Sequence, residues 1–279
     1  MEAKIKMIQL NRNTLNISFP EVHKEATCEI NFNKTLRDPN YSKDSATPSY
    51  LGTPSLRTYK DYFSKVPRDY WNSMPYDWFK KQACLFPMQE CEAMWMDFSV
   101  SKYPYLLKIT VDNINAVTGE PDTGKLNFEN QNFVSTEQNW LDGYSADGYS
   151  LDGKSLKQFA APLSEPKLSP NGILGLDIKV SEIKIDIYPL KVSAWEKFFD
   201  ELRKELGIKK SSKNLEKKIE NEDHKDFRYN NLSTAPTGVF WHRGIDDRRI
   251  INPKFFLEEH EWDQGHKETI YIELIHDLF

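Results

Sequence analysis

Cysteine is scarce in this sequence, and long apolar runs are missing from it. Its three cysteines, Cys28, Cys84 and Cys91, are an odd and sparse set. They fit a reducing compartment rather than a disulfide framework. No apolar run approaches the ~20 residues that a membrane span needs. The opening MEAKIKMIQLNRN is polar throughout, with no signal-peptide core. Positive charge is not in excess: the net charge of −5 argues against nucleic acid or an anionic membrane as a partner. These absences together predict a cytoplasmic protein. Four N-x-S/T triplets, at Asn16, Asn33, Asn40 and Asn231, then read as products of an Asn-rich composition rather than glycosylation sites.

What is present is a core-forming composition. Hydrophobic residues are 39% and charged residues 28% of 279, which suits one large domain or two smaller ones. Aromatics, at 13%, lie mostly at strand or helix spacing and read first as core. The densest apolar region runs from Cys84 to Gly119. Between Ala93 and Val100 both parities are apolar, which predicts a strand covered on both faces. Tyr105 to Val111 continues as a strand, Asp112-Asn113 as a turn, and Ile114 to Val117 as a further strand.

The flanking segments are simpler. Lys4 to Leu10 and Leu15 to Phe19 read as strands. Ala26 to Phe32 alternates, with Cys28, Ile30 and Phe32 on one side. Tyr59 to Val66 and Tyr76 to Gln82 predict short helices. Ile183 to Tyr188 predicts a strand with Ile183, Ile185 and Ile187 on one face. A helix follows, with Ser193 as its cap and Glu196 completing a capping box. Asn252-Pro253 predicts a helix running to about Trp262, and Thr269 to Ile275 predicts a final strand with Ile270, Ile272 and Leu274 inward.

Five features invite a chemical reading. Gly119 to Leu126 matches a phosphate loop except at Leu126, where a Ser or Thr would hold magnesium; Glu120 and Asp122 would repel phosphate, so the match fails. The repeat LDGYS, ADGYS, LDGKS over 141–155 places Asp142, Asp147 and Asp152 five residues apart. That spacing suits Asp-Gly turns rather than a calcium loop. Five of six histidines lie in the last 56 residues among many carboxylates. His242, His260 and His266 are therefore the candidate ligands of a hydrolytic metal site, although the helical metal-binding spacing is absent and a solvated charged face explains them as well. Cys84 and Cys91 lack a neighbouring histidine and read as packing residues. Arg243, Arg248, Arg249 and Lys254 are interleaved with Asp246 and Asp247, which favours ion pairing over nucleic-acid contact.

Several blocks occur in order: Phe19-Pro-Glu-Val-His23, Thr35-Leu-Arg37, Pro87-Met88, Glu92-Ala-Met-Trp95, Ile114-Asn-Ala-Val-Thr-Gly119, Trp140-Leu-Asp-Gly143 and Lys157-Gln-Phe159. Together they resemble a family of uncharacterised bacterial proteins, over roughly Phe19 to Leu163. The Asp-Gly repeat resembles a local expansion of a plain connection in that family. The resemblance implies no activity and assigns no functional residue.

The sequence thus predicts an α+β protein. A mostly antiparallel, β-rich core with a few short packing helices spans 1–207, a charged linker spans 208–228, and a small C-terminal α/β segment spans 229–279. The expected function is non-catalytic binding of a partner protein or small molecule, without a cofactor, through polar loops on a rigid scaffold. Trp140, Asp142, Tyr144 and Tyr149 are the candidate contact residues. Two alternatives stand beside it: a metal-dependent hydrolase using the C-terminal histidines, and a carbohydrate binder using the loop aromatics.

Overall fold

The computed structural model describes residues 8–42, 45, 48–52, 56–65, 77–98, 103–135, 138, 140–146, 156–162, 165–168, 174–177, 181–205 and 258–276. In chain order the elements are β1 (Ile8–Asn11), β2 (Thr14–Ser18), β3 (Thr27–Leu36), β4 (Arg57–Thr58), α1 (Tyr59–Phe63), α2 (Asp77–Lys81), β5 (Cys84–Met88) and β6 (Glu92–Asp97). They continue with β7 (Tyr105–Val111), β8 (Ile114–Asn115), β9 (Val134–Ser135), β10 (Trp140–Leu141), β11 (Gly143–Ser145), β12 (Leu156–Gln158), β13 (Glu165–Leu168) and β14 (Leu174–Asp177). Last come β15 (Ser181–Pro189), α3 (Val192–Glu205) and β16 (Glu268–His276). The fold is β-rich and mostly antiparallel, as the alternating patterns require.

Two sheets carry the architecture. The first has the order β1-β2-β3-β6-β10, and the second β4-β5-β16-β15-β7-β8 with β9 paired to β7. Two hairpins, β11-β12 and β13-β14, stand beside them. Every pairing in the two large sheets is antiparallel except β16 with β5. The period-2 alternation sends Leu15, Ile17, Cys28, Ile30, Phe32, Met94 and Met96 of the first sheet into one apolar cluster. Ile109, Ile183, Ile185, Ile187, Ile270, Ile272 and Leu274 of the second enter the same cluster. The sheets therefore share a single core. Phe19 and Tyr105, one from each side, bring their rings within 5.5 Å.

The turn between β7 and β8 shows how local sequence sets this geometry. Asp112 and Asn113 both have positive φ, 49° and 67°, the conformation of a two-residue turn whose twist matches its flanking strands. Beyond it, the Asn115 side chain replaces a strand. Its Oδ1 accepts from the Val117 and Thr118 backbone N–H groups at 3.0 Å, and its Nδ2 donates to the Asn132 carbonyl at 2.8 Å. The strand expected over 114–117 accordingly ends at Asn115, because the amide captures the backbone that would have continued the ladder.

Four expectations are corrected. The last strand is not peripheral: β16 lies between β15 and β5 in the middle of the second sheet, so the described part of 229–279 is not a separate unit. Trp262, buried at its start, bridges to Leu190. Ser193 is not the cap of α3, since the Lys191 carbonyl already accepts from Ala194 and Trp195 at 3.1 Å. Lys191 itself is fixed by bonds to the carbonyls of Glu261 and His260, and the helix starts at Val192, two residues earlier than a Ser193 cap would set it. The helix expected up to Trp262 is, in its described part, a single 3-10 turn over Glu259–Glu261 closed by a capping box from Glu258. Finally, Cys91 is an exposed turn residue rather than a packing residue; Cys28 is buried, Cys84 half-buried, and none of the three forms a disulfide. The linker at 208–228 and the helix start expected at Asn252-Pro253 lie outside the described residues.

Candidate functional site

The face of the first sheet that turns away from the core is built by the same alternation that fills the core. With Cys28, Ile30 and Phe32 inward, Asn31 and Asn33 of β3 point outward. With Met94 and Met96 inward, Trp95 and Asp97 of β6 do so as well. The register places Asn33 opposite Trp95, Asn31 opposite Asp97, and Asp97 opposite Trp140 of β10. Trp95 and Trp140 are half-buried and meet edge-on, their ring centroids 5.9 Å apart at 67°. Thr14 of β2 donates to the Asn31 side-chain oxygen at 2.6 Å. Two indoles thus lie among neutral amides and one carboxylate.

The other candidate contact residues separate from Trp140. Asp142 is 2% exposed and so sits inside the protein. Tyr144 is half-buried and stacks on the core residue Phe159, with centroids 5.5 Å apart. Tyr149 lies outside the described residues. Gly143, in β11, does not use the positive φ expected of an Asp-Gly turn. Its role is close approach: an added Cβ would stand 2.5 Å from the Tyr41 hydroxyl and 2.6 Å from the Lys157 carbonyl oxygen.

The outward face of the second sheet is charged and yet buried. Lys108 on β7 is fully buried, and its ammonium bonds Asp122, which the loop after β8 brings over the sheet. Asp122 also accepts from Lys184 of β15 at 2.7 Å. Asp186, 1% exposed, accepts from Thr269 at 2.6 Å and stands 3.4 Å from both Lys184 and Lys267. Burial alone would raise the Asp122 carboxyl pKa, but the bonds from Lys108 and Lys184 outweigh it and hold it well below the ordinary range. Burial, reinforced by the Asp186 and Asp122 charges, raises the neighbouring Tyr188 phenol. These buried charges are paired with one another, and removing one partner would leave the other buried and uncompensated.

The histidine-rich end forms an open groove of about 640 Å³, lined in part by Lys191, Glu259, His260, Trp262, Asp263 and Gln264. His266 lies beside it, its Nδ1 2.8 Å from Asp263 Oδ2. That contact and the His266 backbone bond hold the Asp263 carboxyl below its ordinary pKa, against the opposing effect of burial. Among the described residues, no three of His, Cys, Asp and Glu are grouped to hold a metal ion. His242 lies outside them. His260 lines this groove and His266 pairs with Asp263, and among the described residues neither belongs to a group that could hold a metal ion.

Several of these residues escaped the sequence reading. Trp95 reads there as part of a strand covered on both faces, and Asn31, Asn33 and Asp97 are not singled out as contact residues. The signal that identifies Lys108 is its presence in the otherwise apolar run YLLKITV, since a lysine buried on a strand requires an anion. The blocks that carry the family resemblance are strand and turn positions: Pro87-Met88 ends β5, Glu92 to Trp95 opens β6, Ile114 to Gly119 is the Asn115 turn, and Trp140-Leu141 is β10. No protein-family model, curated protein or solved structure matches the chain.

Proposed function

We propose that the chain is a non-catalytic, cytoplasmic binding protein, with the outward face of the first sheet around Trp95 and Trp140 as its contact surface. The observation that carries this reading is the placement of two half-buried indoles beside the half-buried Asn31 and Asp97 on one side of a rigid sheet, with Asn33 buried beneath them. Aromatic rings supply rigid apolar area there, and amides supply adaptable hydrogen bonds. No helix among the described residues is long and apolar enough to cross a membrane.

The carbohydrate-binding reading gains from the same face. Indole rings stack on the apolar faces of sugar rings, and neutral amides pair with hydroxyls. The metal-hydrolase reading has the placement of His260 and His266 on the 258–266 turn in its favour, and no group among the described residues that could hold a metal ion. The deciding experiment is glycan-array binding and partner capture with the full chain, compared with Trp140→Ala and with His260→Ala. Loss of binding in the tryptophan variant alone supports the proposal. Stoichiometric bound metal in the purified protein, lost in His260→Ala, overturns it in favour of the hydrolase.

A further inference from the structure

Glu182 of β15 and Glu273 of β16 stand directly opposite each other in the antiparallel register. Cross-strand partners have Cβ atoms roughly 4.5–5.5 Å apart, and like charges so placed repel. Glu273 is 2% exposed, and its Oε2 has no hydrogen-bond partner. Both side chains point to the outward face of the second sheet, where Lys81 at the end of α2 bonds Glu182 and lies 5.1 Å from the Tyr271 ring centre. Among the described residues, Lys184 lies on the same face one row along and is held by Asp122 and Asp186. Asp77 stands at the start of α2. Asp112 in the β7-β8 turn is already engaged by the Ser181 hydroxyl and the Glu182 N–H at 2.8 Å. Arg57 of β4 lies further along the same row, beyond Leu85. One lysine therefore serves two adjacent carboxylates, and it is committed to Glu182.

We propose that Glu182 and Glu273 share a single proton and act as a pH-responsive latch: the protonated pair keeps the outward side of β15 and β16 closed around Lys81, and loss of the proton opens it. With Glu273 neutral, Glu182 and Lys81 form one matched pair and no net charge is left buried. When the proton leaves for water, the two carboxylates confront each other across the strands with one ammonium between them. The new charge can be hydrated only if water enters around Lys81. The electrostatics agree: burial first, and then the Glu182 charge, raise the Glu273 carboxyl from its ordinary 4.5 to about 7, although Lys81 opposes this. A carboxyl raised by folding makes the native state progressively less favourable as pH climbs from 4.5 to about 7, and the penalty is constant above that.

The test is hydrogen exchange of the Tyr271–Ile275 amides in the full chain at pH 5.5 and 8, corrected for intrinsic exchange, with urea unfolding alongside. The wild type should lose at least about tenfold in protection between the two values, corresponding to a pKa shift of about one unit or more. Glu273→Gln should show no such change. Equal protection at both pH values in the wild type, or an undiminished change in the variant, overturns the proposal. Should Glu273→Gln fail to fold, Glu182→Gln decides the matter. Removing the facing charge must move the transition to lower pH, and a transition that stays in place overturns the latch.

Discussion

Lys108 and Asp122 form a buried ion pair that ties the loop after β8 to the middle of β7. The loop contributes the anion, the strand contributes the cation, and Lys184 completes the arrangement from β15. A segment that fails as a phosphate loop because its acidic residues repel anions is thereby explained: Asp122 faces inward to neutralise two lysines. Gly124 closes the loop around it, donating its N–H to Asp122 Oδ1 at 3.0 Å with φ of 73°.

Asp122→Ala is expected to destabilise the protein by about 3–5 kcal/mol, because it leaves the fully buried Lys108 without its anion. Asp122→Leu combined with Lys108→Met should recover most of that loss. Urea denaturation of the wild type and these two variants measures both effects. The depressed Asp122 carboxyl adds a pH signature. A group with a lowered native pKa contributes stability that is fully present above its ordinary value of 3.8 and is lost as pH falls further. Wild-type unfolding free energy should therefore fall below about pH 4 more steeply than that of the double variant, and parallel curves would refute the assignment.

Ile272 and the strand that carries it give the second prediction. β16 sits between β15 and β5, with Ile272 opposite Ile183 on one side and Cys84 on the other. Ile272→Ala should cost about 2–5 kcal/mol through lost burial and the cavity left behind. A chain ending before Glu268 should not fold, because removing a central strand exposes the edges of β5 and β15 and unroofs the shared core. A truncated chain with native-like near-UV circular dichroism would refute the central placement of this strand.

These two cases also mark what the sequence makes legible. Alternation identifies the inward faces of β3, β15 and β16 residue by residue, because a half-buried strand leaves a period-2 trace. It does not reveal which strands are neighbours. Thr269 to Ile275 carries the same pattern whether it lies at an edge or at the centre, and a long charged segment before it invites the peripheral reading. The candidate site is legible only in part for the same reason. Trp140 stands out as an aromatic in a polar stretch, whereas its partner Trp95 is 45 positions earlier and is joined to it only by the β6-β10 pairing. Residues such as Asp142, which the local turn chemistry places at the surface, are drawn inside by packing that no local pattern records.

The Trp95–Trp140 pair should be energetically coupled. Edge-on aromatic pairs contribute about 0.5–1.5 kcal/mol beyond the area they bury. A double-mutant cycle with Trp95→Leu and Trp140→Leu should return a coupling of that size, because the rings touch and neighbouring residues are not additive. Additive losses, with a coupling near zero, would mean that the two indoles act as separate packing residues and do not form one surface.

Gly143 and Gly124 make a pair of opposite controls for the role of glycine. At Gly143 the backbone conformation does not require glycine, but a methyl group would press on the Lys157 carbonyl at 2.6 Å and on Tyr41 at 2.5 Å. The tyrosine can swing aside, but the carbonyl belongs to β12, which pairs with β11 through Tyr144 and Lys157. Gly143→Ala should therefore force the hairpin apart and cost about 1–3 kcal/mol, as overpacking does. At Gly124 the space is open and only the positive φ of 73° opposes a side chain, so Gly124→Ala should cost about 1–2 kcal/mol through backbone strain. Asparagine tolerates that conformation, so Gly124→Asn should recover part of the loss, whereas Gly143→Asn should be worse than Gly143→Ala because it adds bulk to a crowded site. Thermal unfolding of the four variants separates crowding from strain, and recovery by asparagine at position 143 would overturn the crowding account of that glycine.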